Sequence, residues 1–479
     1  MSDKPNIVLI CVDQWRADCL SIAGHPVVET PHLDGLADGG VRFTQAFSAV
    51  PSCIAARAAL FTGLSQRAHG RVGYQDAVEW RYPVTLAGEL ARGGYQTAAV
   101  GKMHVHPQRN AMGFQKVVLH DGMLHYYGRD RQSDYEDWLR KTAGSDCGLF
   151  DHGLAANSWV SRPWHLAEQT HPTYWATSRA VDFLYSRDAA KPFFLFLSYV
   201  APHPPLVPPR FYLDQYLQQD MPAPPVGDWV HKLGVDIDAG RWNPNCFFGR
   251  LDGRAQRRAQ AGYYGLMTQI DHQIGRLIEH MSDLRLLHNT IFIFVSDHGE
   301  MLGDHHLFRK QLPYLGSANV PLLMSFPAGM GIARRQTPHH AVELRDIMPT
   351  LLDAAGLAVP EGVEGRSVLP LLRDPAAPWR PYIHGEHSGS REWSNHWIAD
   401  GRYKYIWYSQ TGVEQLFDTQ SDPTELHDLA ESASCRNTLQ QMRRHLVTEL
   451  TGREEGYTDG QRLITARPPK ATLSHIVKP

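Results

Sequence analysis

Three stretches of the chain are continuously apolar and end abruptly in polar residues. They cover residues 7–12, 192–199 and 290–295. Unbroken apolar runs of this length are typical of strands that are buried on both faces of a parallel sheet. Ligands of open α/β sheets bind outside the carboxyl ends of such strands, so the polar residues that follow are candidates for a functional site. These residues are Asp13, Gln14, His203, Asp297 and His298.

Helices are predicted in the intervals between these strands. In residues 262–281 the apolar side chains recur at helical spacing along one face, which is typical of a helix that packs on a sheet. Residues 344–355 repeat the pattern, and Gly356 is placed to end that helix. The first helix carries Asp271, which we expect to be a solvated surface carboxylate.

The C-terminal part of the chain has a different character. Charged residues, prolines and alanines at 372–379 indicate a linker, which divides the chain into residues 1–375 and 376–479. Beyond the linker, short strand-like runs separated by turn sequences predict a small antiparallel sheet, followed by a polar helix at 438–450. The short runs are residues 397–399, 403–408 and 415–417. After about residue 451 no periodicity remains, and we expect a tail or an arm that joins copies of the chain.

Composition narrows the class of protein. The chain has 479 residues, 43% of them hydrophobic, and its 47 basic and 50 acidic residues leave a formal charge of −3. The apolar content excludes a disordered chain, and the length provides for a large core. Because there is no excess of basic residues, an overall electrostatic footprint for nucleic acid is also excluded.

The N-terminus and the cysteines suggest a compartment. The apolar run at 7–12 is too short for a secretory signal, and no other run approaches the ~20 residues of a membrane span. The six cysteines form no C-x-x-C pair and show no zinc spacing. We therefore expect a cytoplasmic protein with free thiols and with no membrane or nucleic-acid partner. Cys53 is the cysteine that calls for a separate explanation.

Cys53 lies at a predicted helix start, where small residues and Arg57 follow it. A helix N-terminus offers free N–H groups and partial positive charge, which favour an anion. Arg57 is four residues further on, so it shares the helical face of Cys53 and can bind a tetrahedral oxyanion with its guanidinium. The residues alone leave two interpretations open: an anion site beside a reactive thiol, or an inert buried cysteine near a surface arginine.

Two segments of the sequence resemble family signatures. The first has a cysteine, a small residue and an arginine at alternate positions, followed by an aromatic-Thr-Gly sequence, and the second ends in Gly-Lys-x-His. The matching positions are Cys53, Ala55, Arg57, Phe61, Thr62, Gly63 and residues 94–104. Both closely resemble signatures of the type I, formylglycine-dependent sulfatases of the alkaline phosphatase superfamily, and weaker similarity runs from residue 5 to about 430.

The resemblance implies a fold and an activity. The expected fold is an alkaline-phosphatase-like α/β domain, with a mostly parallel central sheet between helices, and a small C-terminal α+β subdomain. The expected activity is hydrolysis of a sulfate monoester. Family members convert the signature cysteine to formylglycine, whose hydrate attacks sulfur, so a formylglycine-generating enzyme is an implied partner during maturation of Cys53.

The resemblance also implies a metal centre. Asp13, Gln14, Asp297 and His298 match the positions that, together with residue 53, hold one divalent cation. Such a cation lowers the pKa of the attacking hydroxyl and neutralises sulfate oxygens. The family pairs are often Asp-Asp and Asp-Asn, so Gln14 and His298 are departures. Calcium is the first expectation, with manganese or magnesium as alternatives.

The remaining roles are implied in the same way. Arg57, Lys102 and Lys310 match residues that surround the sulfuryl oxygens and stabilise their charge. His203, with Lys310, matches the group that protonates or binds the leaving oxygen. His104 matches the base that deprotonates the second hydroxyl of the hydrate, so that sulfate is expelled and the aldehyde returns.

There are three alternatives to a sulfatase. A phosphonate monoester hydrolase or phosphodiesterase resembles the chain at Asp13-Gln14, at 297–310 and at 203–205, but Lys102 and His104 favour a sulfate monoester. A two-zinc phosphatase is disfavoured because the additional ligands are not apparent. If Cys53 were never modified, the chain would be an inactive metal- and anion-binding protein. The leaving group, whether a small molecule or a saccharide, is not determined by these motifs.

Overall fold

The computed structural model describes residues 4–122, 133–388 and 393–477. The strands are β1 Asn6–Asp13, β2 Val41–Phe43, β3 Ala46–Phe47, β4 Gln96–Gly101, β5 Lys116–Leu119, β6 Phe193–Pro202, β7 Thr290–Ser296, β8 Leu322–Ser325, β9 Val342–Glu343, β10 Ile383–His387, β11 Asn395–Ala399, β12 Tyr403–Tyr408 and β13 Glu414–Asp418. The α-helices are α1 Pro31–Asp38, α2 Cys53–Thr62, α3 Gln66–His69, α4 Leu86–Arg92, α5 Asp134–Ala143, α6 Pro172–Ser186, α7 Arg210–Leu217, α8 Gly253–Asp283, α9 Leu315–Ala318, α10 Ile347–Ala354, α11 Leu369–Arg373 and α12 Arg436–Leu450.

A seven-stranded sheet in the order β2-β8-β7-β1-β6-β4-β5 lies at the centre of the described residues. β1 pairs in parallel with β6 on one side and with β7 on the other, and β4 and β5 continue in parallel. β8 and β2 form an antiparallel edge. The prediction of a mostly parallel central sheet is therefore confirmed, and the three apolar runs are its three middle strands.

Both faces of this sheet are covered by helices. Ile7 and Leu9 of β1 belong to a core that includes residues of α2, α4 and α10. Val8 and Ile10, which point to the other face, belong to a core with residues of α6 and α8. Alternate residues of β1 thus enter two different cores, which explains why residues 7–12 are all apolar.

The predicted helices exist with different bounds. The amphipathic stretch at 262–281 is the C-terminal two thirds of α8, which begins earlier because the Asp252 side chain accepts hydrogen bonds from the N–H groups of Arg254 and Ala255. Residues 344–355 form a short 3₁₀ turn followed by α10. Every helix in the described ranges is too short or too polar to span a bilayer.

Asp271 of α8 corrects one expectation. It is 0% exposed, so the prediction of a solvated carboxylate is wrong. Its side chain accepts hydrogen bonds from the backbone N–H groups of His32, at 3.2 Å, and Leu33, at 2.8 Å, in the first turn of α1. Asp271 therefore caps the N-terminus of another helix, where N–H groups lack intrahelical partners.

The C-terminal sheet has four antiparallel strands in the order β10-β11-β12-β13. The three predicted strands are present, but β10 was missed. Its sequence, Ile-His-Gly-Glu-His, has no apolar alternation because His384 and Glu386 are buried polar residues. α12 packs on this sheet through Met442 and Leu446. The division of the chain at residue 375 stays a prediction.

The residues after 451, which we expected to form a tail or an arm, are packed against other parts of the described chain. Val72 donates a backbone hydrogen bond to Ala471 at 3.0 Å, and Leu473 donates one to Gly70 at 2.8 Å. Tyr457 is fully buried. The segment has no regular periodicity, and it is held in place by these backbone hydrogen bonds to residues 70–72 of the same chain. Association of copies through this segment stays a prediction.

Burial raises the pKa of Asp271 from the ordinary 3.8 to about 7. The native state therefore holds this proton more tightly than the unfolded chain. The protonated carboxyl group of Asp271 makes its full contribution to the free energy of unfolding below about pH 4. That contribution is lost as the pH rises to about 7. We therefore expect the thermal midpoint of Asp271→Asn to rise relative to that of wild type as the pH increases from 4 to 8. A difference that stays constant across this range, measured by calorimetry, would contradict the assignment.

Candidate active site

The candidate site lies where the carboxyl ends of the parallel strands meet. Asp13 is the last residue of β1, and Asp297 directly follows β7. Lys102 follows β4, and His203 follows β6. Because these four strands are neighbours, residues that are far apart in the sequence reach one place. All four side chains are buried.

Cys53 faces this edge from the first position of α2. Its Sγ lies 3.1 Å from His298 Nε2 and 3.6 Å from Asp13 Oδ1. The side chain is 2% exposed. The local prediction of a helix that begins at Cys53 is confirmed, and the N-terminus of that helix points into the strand ends.

Four side chains offer ligand atoms that all lie within 4.8 Å of one another: Asp13, Cys53, Asp297 and His298. His298 Nδ1 donates to the carbonyl oxygen of Gly299 at 3.0 Å, which leaves Nε2 as the nitrogen with a free lone pair. Burial also lowers the pKa of His298, which favours the neutral ring that metal ligation requires. The donor set therefore fits one divalent cation.

Gln14 lies beside this group in a left-handed backbone conformation, with φ of 73°. Its N–H donates to Asp297 Oδ1 at 3.2 Å. Its side-chain oxygen accepts from Lys310 Nζ at 2.7 Å, and its amide nitrogen donates to Glu300. Glu300 thus fixes which end of the amide faces the strand edge. This partner was not singled out from the sequence.

Arg57 connects α2 to three strands. Its Nε donates to Asp297 Oδ2 at 2.9 Å. Its Nη1 donates to the carbonyl oxygen of Lys102 at 2.7 Å and to Ser198 Oγ at 3.0 Å. Nη2 is buried and has no partner among the described residues. That nitrogen is a donor available to a bound oxyanion.

Lys102 and Asp13 form a buried ion pair. Burial opposes ionisation of both groups, but each is held charged by the other. The pKa of Asp13 consequently lies well below its ordinary value, chiefly because of the charge of Lys102, and the pKa of Lys102 is raised. The site thus keeps a carboxylate and an ammonium side by side, and both are buried.

His203 and Lys310 form the second polar pair of the site. His203 Nδ1 donates to the carbonyl oxygen of Pro204 at 2.6 Å, and its Nε2 accepts from Lys310 Nζ at 2.7 Å. Burial, followed by the charge of Lys310, lowers the pKa of His203 well below its ordinary value. The ring is therefore neutral, and Lys310 carries the proton that the two nitrogens share.

His104 completes the set. It is buried beside Cys53, and its Nε2 lies 3.3 Å from Asp76 Oδ1. Burial disfavours the protonated ring, but Asp76 and Cys53 outweigh burial and raise the pKa of His104. The structure therefore brings every residue proposed from the sequence into one connected cluster. Their roles remain proposals.

Sequence reasoning missed several neighbours of this cluster. Glu300 belongs to the polar run after β7 and could have been suspected for that reason. Ser198 lies inside the apolar strand β6 and Asp76 lies in a loop, so neither gave a signal. His305, which follows the same run, instead accepts from the N–H of Gly227 at 3.0 Å, a structural role in the loop.

A mostly parallel sheet with helices on both faces, and with carboxylates, histidines and three cationic side chains at its carboxyl edge, is typical of alkaline-phosphatase-like hydrolases. The sulfatase family model matches residues 5–357, and the model for the C-terminal region of N-sulphoglucosamine sulphohydrolase matches residues 303–451. The chain belongs to the sulfatase family and is a sulfuric ester hydrolase.

Individual relatives agree with this assignment. The chain is 48% identical to an arylsulfatase of Clostridium perfringens over 99% of this chain and 100% of that protein. Among solved structures, a phosphonate monoester hydrolase of Agrobacterium radiobacter aligns with a TM-score of 0.76 and 24% identity, over 97% of this chain and 100% of the other. A protein solved with its substrate D-glucosamine-2-N,6-O-disulfate aligns with a TM-score of 0.76 and 21% identity, over 94% and 98%. These two structures support the fold.

The cluster around Cys53 predicts that Asp13 is needed for cation binding. In Asp13→Asn, the site loses one of its two carboxylates, and we expect the affinity for Ca²⁺ or Mn²⁺ to fall by at least about tenfold. Asp38→Asn is the matched control, since Asp38 is exposed and pairs only with Arg335 among the contacts described, at 3.2 Å. Titration calorimetry measures both. Equal affinities in the Asp13 variant and wild type would show that the cation binds elsewhere.

Proposed function

We propose that this enzyme hydrolyses sulfate monoesters with a nucleophile formed at residue 53 and one divalent cation, with calcium as the first expectation. The observation that carries the proposal is the position of Cys53. It begins α2 and touches Asp13 and His298, while the cations of Arg57 and Lys102 lie around it. An anion beside this helix end meets positive charge on several sides.

The donor set and the cysteine fit the groups that the family uses. When present, the cation would lower the pKa of a hydroxyl and neutralise sulfate oxygens, and formylglycine made from Cys53 by a maturation enzyme would supply that hydroxyl. His298 fits this arrangement through the tautomer fixed by Gly299. Glu300 holds the amide nitrogen of Gln14, so the amide oxygen, which is the atom a cation would bind, is the end that faces Lys310.

The cationic side chains bind the sulfuryl oxygens. Arg57 has one buried donor, Nη2, without a partner among the residues described, and its other nitrogens are fixed by Asp297, Ser198 and the backbone. Lys102 approaches from β4 and Lys310 from the loop after β7. Because these charges are preorganised and buried, they stabilise negative charge that builds on the oxygens more strongly than water does.

Lys310 and His203 serve the leaving oxygen. Lys310 holds the shared proton and His203 accepts from it, so the ammonium can donate to an ester oxygen that enters this pair. His203 in turn is anchored by Pro204 and cannot rotate freely. Charge on the departing alcohol is thereby neutralised by a hydrogen-bond donor already in place.

The substrate is a small-molecule or saccharide sulfate ester. The C. perfringens relative is an arylsulfatase, and one structural neighbour was solved with a sulfated glucosamine as its substrate. A phosphonate monoester presents a similar tetrahedral oxyanion, and a phosphonate monoester hydrolase shares the fold. A panel of aryl, alkyl and saccharide sulfates beside phosphonate esters separates these substrates.

Residue 53 provides the decisive test of this proposal. We expect the active protein to be about 18 Da lighter than its sequence mass, as formylglycine requires, and Cys53→Ala to lose turnover of every ester in the panel. Cys246→Ala is the matched control, because Cys246 is also a buried free thiol. Undiminished turnover by Cys53→Ala would overturn the mechanism. Higher kcat/KM for phosphonates than for sulfates would overturn the substrate preference.

Lys102 provides a quantitative test. Removing one charge that faces the sulfuryl oxygens in Lys102→Ala is expected to reduce transition-state stabilisation by about 2–4 kcal/mol, seen as a fall in kcat/KM for an aryl sulfate. The control is Lys191→Ala, which removes an exposed lysine paired with Asp188 at 3.5 Å. An unchanged kcat/KM in the Lys102 variant would show that this lysine serves Asp13 only.

A further inference from the structure

Asp76 is a carboxylate at the site that does not belong to the set of residues predicted from the sequence. It lies in the loop between α3 and α4. Its Oδ1 is 3.3 Å from His104 Nε2, and its Oδ2 accepts from the hydroxyl of Tyr74 at 2.6 Å. Its side chain is 52% exposed, so it forms part of the rim of the site. A negative charge here disfavours an anionic substrate, which calls for a compensating role.

His104 itself is held in an unusual conformation. Its φ is 54°, in the left-handed region that a residue with a side chain rarely adopts. Asp121 Oδ1 accepts from the N–H groups of Met103, at 2.7 Å, and His104, at 3.0 Å, and so fixes the backbone. Strain of this kind persists where neighbouring contacts determine the position of a side chain.

The two ring nitrogens of His104 have different surroundings. Nε2 faces Asp76, whereas Nδ1 is buried and has no partner in the described parts of the chain. Cys53 is the other side chain that interacts with this ring. A carboxylate accepts but does not donate when ionised, so Asp76 selects the ring form with hydrogen on Nε2 and a lone pair on Nδ1.

We propose that Asp76 is a positioning residue for His104: it fixes the ring orientation and the tautomer in which Nδ1 is free to accept a proton from a hydroxyl at residue 53. In that transfer the O–H bond breaks and an Nδ1–H bond forms. The proton on Nε2 stays in its hydrogen bond to ionised Asp76, which stabilises the positive ring, and water later takes the proton from Nδ1. This inference rests on the proposed function.

Tyr74 has a supporting part in this arrangement. Its hydroxyl occupies Asp76 Oδ2, so the carboxylate is held from both sides and Oδ1 stays directed at His104. Tyr74 also contacts the ring of His104, with centroids 6.1 Å apart at an interplanar angle of 67°. The order of contacts is therefore Tyr74, Asp76, His104 and then Cys53.

A double-mutant cycle tests the proposal on the complete enzyme with 4-nitrophenyl sulfate. Asp76→Ala is expected to lower kcat about ten- to hundredfold and to change KM by less than about threefold, since it disturbs a proton transfer rather than binding. In the His104→Ala background the same substitution is expected to have no further effect on kcat, because Asp76 acts only through that ring. Asp76→Asn keeps an acceptor for Nε2 and is expected to restore part of kcat. Asp38→Asn, remote and exposed, is the control.

The outcomes are distinct. Additive effects of Asp76→Ala and His104→Ala, or a change in KM at constant kcat, would overturn the positioning role and indicate a substrate contact. Equal losses in the Ala and Asn variants would also overturn it, because the acceptor would then be irrelevant. Circular dichroism and the thermal midpoint of each variant show that the fold is kept, and Asp76→Asn preserves the shape of the loop. If wild type turned over no sulfate ester, the proposed function would fall and this inference with it.

Discussion

The structure of the site depends on the buried ion pair between Arg57 and Asp297. Both side chains are 0% exposed and lie 2.9 Å apart. Removing two charges from water is costly unless each finds its partner with good geometry, so this pair forms only when α2 and β7 are correctly placed. Arg57 also binds the backbone of Lys102 and the hydroxyl of Ser198. One guanidinium thus joins the helix that carries Cys53 to β7, β4 and β6.

The other charges of the site follow from that constraint. Asp13 pairs with Lys102, and Lys310 binds Gln14 and His203, so no described charge at the strand ends is left without a partner. The sheet supplies the frame because β1 is hydrogen-bonded between β6 and β7 over its whole length. Charges that are held in place before the reaction stabilise the charge that develops in the transition state, and this is usually the largest electrostatic contribution to catalysis.

The sequence predicted the features that depend on local pattern. β1, β6 and β7 were recognised because both faces of each strand are buried, and the start of α2 was recognised from its composition. The role of Asp271 was not, since its partners in α1 are 238 and 239 positions away along the chain. β10 was missed because its inward side chains are the charged and polar His384 and Glu386, with Glu386 bound to Arg453 at 2.8 Å. Asp76 could not be recognised from the sequence, because a single acidic residue in a loop is common and only the fold brings the ring of His104 beside it.

The pairing of residues 471–473 with the strand-like segment at 70–72 has a consequence for folding. Thr472 donates a hydrogen bond to Gln75, which lies 397 positions earlier in the chain. Contacts of such large sequence separation are formed slowly, because the chain between them must first be closed into a loop. The loop that leads to Tyr74 and Asp76 therefore gains its final support from a distant part of the chain, and a substitution that loosens residues 471–473 would be felt at the rim of the site.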